Sequence, residues 1–204
     1  MLSRFFHIAG IAVLTLVLFV GNAASSTYRV DPAYSSFEVQ NDIHPVKGSF
    51  KNFEGTIVYE PTQVEKSSVD FCLKANSFKV QSDDVMMGGG LFFDLNKHPE
   101  IRFHSTSIVN NGDYLLVTGN LSMLGETRQV TLPVEILGRG THPKEGLPIA
   151  GFAAKLKVKI SDLGVNTWTN ATGILGNTLN IQLKLVGVNK EAQVNIPKQI
   201  PSKL

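Results

Sequence analysis

Beyond its first segment the chain is written almost entirely in period two, and that alternation limits what it can become. Val69, Phe71, Leu73 and Ala75 alternate with Ser68, Asp70, Cys72 and Lys74. Side chains two apart share one face of an extended strand. Phe152, Ala154, Leu156, Val158 and Ile160 share a face opposite Ala153, Lys155, Lys157 and Lys159. Leu179, Ile181, Leu183 and Leu185 repeat the pattern against Asn180, Gln182 and Lys184, as do Val130, Leu132, Val134 and Ile136 against Thr131 and Glu135. Further strands are predicted over 35–40, 46–53, 55–60, 100–105 and 114–121. Turns are expected at Asp31-Pro32, Glu60-Pro61, Asn111-Gly112-Asp113 and Gly138-Arg139-Gly140, and the Asn-Gly-Asp stretch reads as a hairpin.

Only 82–95 interrupts this rhythm. Asp83 or Asp84 can cap one short helix near 83–88, which Gly88-Gly89-Gly90 would end. Without a long helical period there is no parallel βαβ architecture. Eight or more strands joined by short turns predict a single all-β domain, an antiparallel barrel or sandwich. A strand with one apolar face must bury it, so the sheet closes or pairs. A closed barrel of eight strands is either filled by its side chains or holds one small ligand. Alternation alone leaves both open.

Composition removes several classes. The 204 residues are 43% hydrophobic and 18% charged with a formal net charge of +2, too apolar and balanced for a disordered chain. A mean hydropathy of +0.05 excludes a polytopic membrane protein. Near-neutral charge gives no electrostatic footprint for nucleic acid, so no nucleic-acid partner is expected.

The first segment is read as a leader. Arg4 precedes an apolar run from Ile8 to Val20, followed by Gly21-Asn22-Ala23-Ala24. A basic start, a short apolar stretch and a small-residue exit describe a secretory signal peptide over 1–23, cleaved after Ala23. The alternative is an uncleaved anchor, for which the run is short. The remainder divides into a barrel domain over 24–195 and a tail over 196–204. Cys72 is the one cysteine, so no internal disulfide forms. Export without disulfides suits a bacterial periplasm, and the thiol reads as a small packed residue.

Catalytic constellations are not found. There is no Gly-x-Ser-x-Gly elbow, phosphate loop or dinucleotide fingerprint, and no cofactor is called for. His44, His98, His104 and His142 lack the i,i+2 or i,i+4 spacing of a metal site, so no metal is expected. His98 and His104 flank a strand and could converge with Asp94, but solvated histidines explain them more simply. Lys155, Lys157 and Lys159 form a basic stripe. The simple reading is a solvated outer face that blocks edge association; the functional alternative is transient contact with anionic lipid headgroups. Phenylalanines at 37, 50, 53, 71, 103 and 152 fall on apolar strand faces, where they either fill a core or line a tunnel.

Four segments in order resemble the YceI-like family of exported lipid-binding proteins. Asp31-Pro32, Ser35-Ser36 and Gly48-x-Phe50-x-x-Phe53-x-Gly55 resemble its opening. Phe92-Phe93-Asp94 with Pro99-x-Ile101-x-Phe103-x-Ser105-Thr106 resembles its middle. Gly119-x-Leu121-x-x-x-Gly125-x-Thr127-x-x-Val130 resembles a further hairpin, and Ser161-Asp162-Leu163-Gly164 a late turn. The resemblance runs from about Tyr28 to Lys190.

It implies a lipocalin-like, up-and-down antiparallel barrel in the periplasm that holds a polyisoprenoid or similar apolar lipid. Such proteins are regarded as carriers rather than enzymes, and some form homodimers. The residues expected to line the ligand site are Phe37, Phe53, Phe71, Phe78, Phe103, Phe152, Leu156 and Trp168. The runner-up is an envelope stress protein with a packed barrel that acts through its surface. There are departures: Tyr34 stands where the family often has His, the 41–45 loop looks shortened, Ile160 replaces an Arg, and Asp83 stands where Arg often precedes Asp. If those basic residues meet a polar headgroup, the resemblance implies a different or uncharged head here.

Overall fold

The computed structural model describes residues 25–41, 47–80, 97–163 and 178–192. The leader over 1–23, the helix expected near 83–88, Trp168 and the 196–204 tail lie outside the described residues. Within them the alternating segments form strands β1 (Ser26–Val30), β2 (Ser36–Asn41), β3 (Lys47–Phe50), β4 (Phe53–Tyr59), β5 (Ser68–Lys74), β6 (Phe78–Val80), β7 (Glu100–Asn110), β8 (Leu115–Met123), β9 (Glu126–Thr141), β10 (Pro148–Lys159) and β11 (Thr178–Val188). Every pairing is antiparallel, in the order β1-β4-β5-β7-β8-β9-β10-β11, and β11 returns to β1. The result is an eight-stranded up-and-down barrel.

Three of the eight staves are bent. β2, β3 and β6 continue β1, β4 and β5 respectively, beyond breaks at 31–35, 51–52 and 75–77 that lie side by side in the register. Backbone groups freed at the breaks find other partners. Asp31 N–H donates to the Val186 carbonyl (2.8 Å), and Val186 N–H donates to Ser35 Oγ (2.9 Å). Ser77 Oγ–H donates to the Lys74 carbonyl (2.6 Å). The bends thus satisfy the polar backbone, and β2-β3-β6 extends the β11 side past the closed ring.

Two bulges adjust the faces. In β7, Ser105 pairs with Gly119 and Ser107 with Thr118. The extra residue turns Ile108 inward with Ile101 and Phe103, although its parity is opposite. The strand predicted over 100–105 therefore runs on to Asn110. In β9, Phe152 pairs with Ile136 and Gly151 with Gly138, leaving Leu137 extra. Gly138 has φ of +137°, a conformation open to glycine. The expected turn at Gly138-Arg139-Gly140 is corrected by this: the segment stays in β9, and the chain reverses at 142–147. That loop is closed by His142 N–H donating to Leu147 O (2.7 Å) and Gly146 N–H donating to His142 O (2.9 Å). The hairpin at 110–115 forms as expected, with Asn111 N–H on Tyr114 O (3.0 Å).

His142, of which the sequence says only that it lacks metal-ligand spacing, is 3% exposed. Its Nδ1 accepts from the Lys144 and Glu145 amides (3.3 and 3.0 Å), and its buried Nε2 lies 3.3 Å from an Asp31 carboxylate oxygen without hydrogen-bond geometry to it. The ring meets Tyr34 edge-on, with centroids 4.9 Å apart. One buried imidazole thereby ties the β9–β10 loop to the β1–β2 bend. The departure at Tyr34 is thus a packing contact on this loop.

Candidate functional site

The alternating apolar faces turn inward, except at Ile136, which is exposed beside the β9 bulge, and they do not fill the barrel. A cavity of about 220 Å³ runs through it. One wall is aromatic, from Phe37, Phe50, Phe71, Phe78 and Phe103; the facing wall is aliphatic, from Leu121, Leu132, Val134, Ala154, Leu156 and Leu183. Phe37 meets Phe50 edge-on at 5.2 Å and lies parallel to Phe71 at 6.4 Å; Phe50 and Phe78 are 5.0 Å apart. Such contacts lock ring orientations.

Glycines on neighbouring strands let these rings lie along the wall. A Cβ at Gly48 would overlap the Phe78 ring, and one at Gly119 would overlap both Phe103 and the His104 carbonyl. The rings occupy wall volume that side chains would otherwise take. This leaves space in the lumen.

Among the described residues the cavity has a closed end and an open one. Tyr28, Tyr59, Ala150, Phe152 and Val188 are all buried at the end near the β9–β10 loop. Phe152 receives Tyr28 and Tyr59 edge-on at 6.3 and 6.1 Å, and the Arg139 guanidinium lies 5.6 Å from the Tyr59 centroid. Along β10 the inward residues pass from buried Phe152 and Ala154 to half-buried Leu156 and Val158. Leu179 and Ile181 on β11, and Leu121 and Met123 on β8, are likewise half-buried. The mouth therefore lies at the Val158–Leu179 end. From Phe152 to Val158 the lumen spans six residues of strand, about 20 Å.

Of the residues named from sequence, Phe37, Phe71, Phe78, Phe103, Phe152 and Leu156 line this cavity. Phe53 does not: at the break after β3 it is buried behind Phe71, with centroids 5.6 Å apart. Trp168 lies outside the described residues. Of the aliphatic wall the sequence reasoning named only Leu156, because it weighted aromatic bulk. Alternation alone placed Leu132, Val134 and Leu183 on inward faces, and that signal was sufficient to find them.

Apart from Tyr59 and Arg102, the described titratable groups lie away from the cavity lining. On the outer face of β5 and β7, Glu100 accepts from Lys74 Nζ and from Arg102 Nε and Nη2 (2.9 and 2.5 Å). These bonds hold its carboxyl below the usual carboxylate range and raise Lys74 and Arg102. Cys72 is buried among them, and desolvation, then the Glu100 charge, pushes its thiol up. That suits the packed thiol read from sequence rather than a reactive one. His104 Nδ1 lies 2.5 Å from Asp70 Oδ1 on the same exposed face, so this histidine is solvated but paired. His98 is half-buried against the β8–β9 turn at Gly125. Among the described residues no group of three or more His, Cys, Asp or Glu side chains could hold a metal.

Comparison with known proteins supports the same fold. The family model described as the YceI-like domain matches residues 28–187. Protein YceI of Salmonella newport is 30% identical over 168 residues, covering 79% of this chain and 87% of that protein. The crystal structure of Burkholderia cenocepacia BcnA superposes with a TM-score of 0.65 at 26% identity, over 77% of this chain and 98% of that one. Campylobacter jejuni YceI protein gives 0.62 at 25% identity, over 73% and 88%. With a family match across nearly all the described strands, and the barrel and its apolar cavity already on view, this chain belongs to the YceI-like family.

Proposed function

We propose that this protein is an exported carrier that holds a polyisoprenoid or similar long apolar molecule in its barrel, for transport or storage and without chemical change. The observation that carries the reading is the hydrocarbon-lined lumen, closed by packed aromatics at one end and graded toward exposure at the other. Desolvation supplies the affinity. Each buried methylene contributes about 0.8 kcal/mol, so ten give about 8 kcal/mol before the cost of ordering the chain. A packed barrel acting through its surface fits less well, because its lumen would be filled. The leader pattern supports placement in the periplasm, with mature protein beginning at Ala24.

Native mass spectrometry of protein purified from its own periplasm tests this. The expected result is a mature chain starting at Ala24 with a non-covalent lipid adduct, which a fluorescent polyene displaces. Bare protein that also fails to bind the polyene would refute the carrier. Membrane-bound material retaining Met1 would refute the soluble periplasmic form.

A further inference from the structure

The net charge of the chain is small, but its outer surface is divided. Around β4, β5, β7, β8 and β9 the outward carboxylates Glu100, Asp70 and Glu126 are engaged by Lys74, Arg102, His104 and Arg128. The other side, formed by β10, β11, β2, β3 and β6, is predominantly basic. Its outward positions carry Lys155, Lys157, Lys159, Lys184, Lys47 and Lys79, all exposed. Among the described outward positions there, Glu38 is the acidic residue.

Strand register brings part of this set together. Lys155 pairs with Gln182, which pairs with Glu38; Lys157 pairs with Asn180, then Gln40, then Lys47. Adjacent strands are about 4.8 Å apart, so these two rows make one patch. A surface hollow of about 340 Å³ lies within it, walled by Lys47, Lys155 and Lys157 and by the amides of Gln40, Asn180 and Gln182, with Glu38 as its one carboxylate against three ammonium groups. Ammonium groups and side-chain amides both donate hydrogen bonds, so the hollow suits an anionic oxygen cluster. It lies beside the cavity mouth, since Lys157 and Asn180 are the outward neighbours of Val158 and Leu179.

We propose that this face docks the protein on an anionic lipid surface, seating phosphate headgroups among Lys47, Lys155 and Lys157. The inference rests on the carrier reading, because a long apolar molecule reaches the lumen without crossing water only if the mouth meets a bilayer. Charge complementarity selects the occupant: a basic face attracts anionic headgroups, within a range set by salt screening. The closed end lies at the opposite end of the barrel, so docking leaves the β9–β10 loop in water.

Co-sedimentation with phosphatidylcholine vesicles, with and without phosphatidylglycerol, is the test. Wild type is expected to bind only the vesicles containing phosphatidylglycerol and to be released by salt. Each lysine contributes about a five-fold gain in affinity, so Lys47→Gln/Lys155→Gln/Lys157→Gln should weaken binding by on the order of a hundred-fold. The triple Arg variant should retain it. Lys66→Gln/Lys144→Gln, at the closed end, should bind as wild type. Equal binding to neutral vesicles, equal binding by the triple Gln variant, no vesicle binding at all, or binding to short duplex DNA as tight as to vesicles would each overturn the assignment. Polyene displacement without vesicles separates the two readings. The triple Gln variant should still bind the polyene, which also shows that its barrel is intact. If wild type does not bind it, the carrier reading fails whatever the vesicles show.

Discussion

Replacing Ala154 by Trp tests directly whether the lumen is space for a ligand. Ala154 faces inward on β10 between Phe152 and Leu156, paired with Leu183 on one side and Val134 on the other. It is 7% exposed and lines the cavity. In a filled interior the added indole would force neighbours off their rotamers and cost about 1–3 kcal/mol. Here the adjoining cavity measures about 220 Å³. An apolar cavity of about 150 Å³ already accepts benzene, and an indole is only one small ring larger. The fold should therefore lose less than about 1 kcal/mol, while the lumen is blocked halfway between closed end and mouth. The assay pairs a denaturant midpoint with displacement of a bound fluorescent polyene, for wild type and variant. A fall in stability above about 2 kcal/mol would mean that no usable space lies beside residue 154. Unchanged polyene binding at unchanged stability would mean that the lumen at this level is not where the ligand sits.

Gly48→Ala should destabilise by about 1–3 kcal/mol, because its Cβ would overlap the Phe78 ring; a melting temperature equal to wild type would show that the ring moves away freely. The Glu100 carboxyl is depressed in the folded state by its bonds from Lys74 and Arg102. Its contribution is thus full above the unfolded carboxylate range near pH 4.3 and is lost as pH falls through the folded value. The melting-temperature gap between wild type and Glu100→Gln should close as the solution is acidified from pH 6 to below about 4; a gap independent of pH would refute the pairing. Cys72 should react with a soluble disulfide reagent at pH 8 only after unfolding, since its thiol is buried and raised. Chelators should leave the melting temperature unchanged, and a drop of several degrees would reveal a structural metal.

Period two by itself decided which side chains face the lumen over most of the strands. Phe71, Leu73, Leu156, Val158, Leu179 and Ile181 all point where alternation put them, because a side chain's face depends only on its position in an extended chain. The hairpin at Asn111-Gly112 was legible for a similar reason, as Gly112 takes φ of +80° where local sterics favour glycine. β1 and β6 are too short to show a period, and they went unread. The bulges at β7 and β9 were also invisible in the sequence. An inserted residue is stabilised by its pairing partner on another strand, and that partner is distant in sequence. The burial of His142 was likewise not legible, because it depends on the β1–β2 bend being brought against it. The hollowness of the barrel belongs wholly to tertiary structure. Whether apolar side chains fill a lumen depends on the strand count and on where each ring lies. Phe78 folds against Gly48 and Phe103 against Gly119 only once closure sets those strands side by side. The division of charge has the same origin: Lys47 and Lys157 are far apart in the chain, and one face unites them because β11 and β2 pair between them.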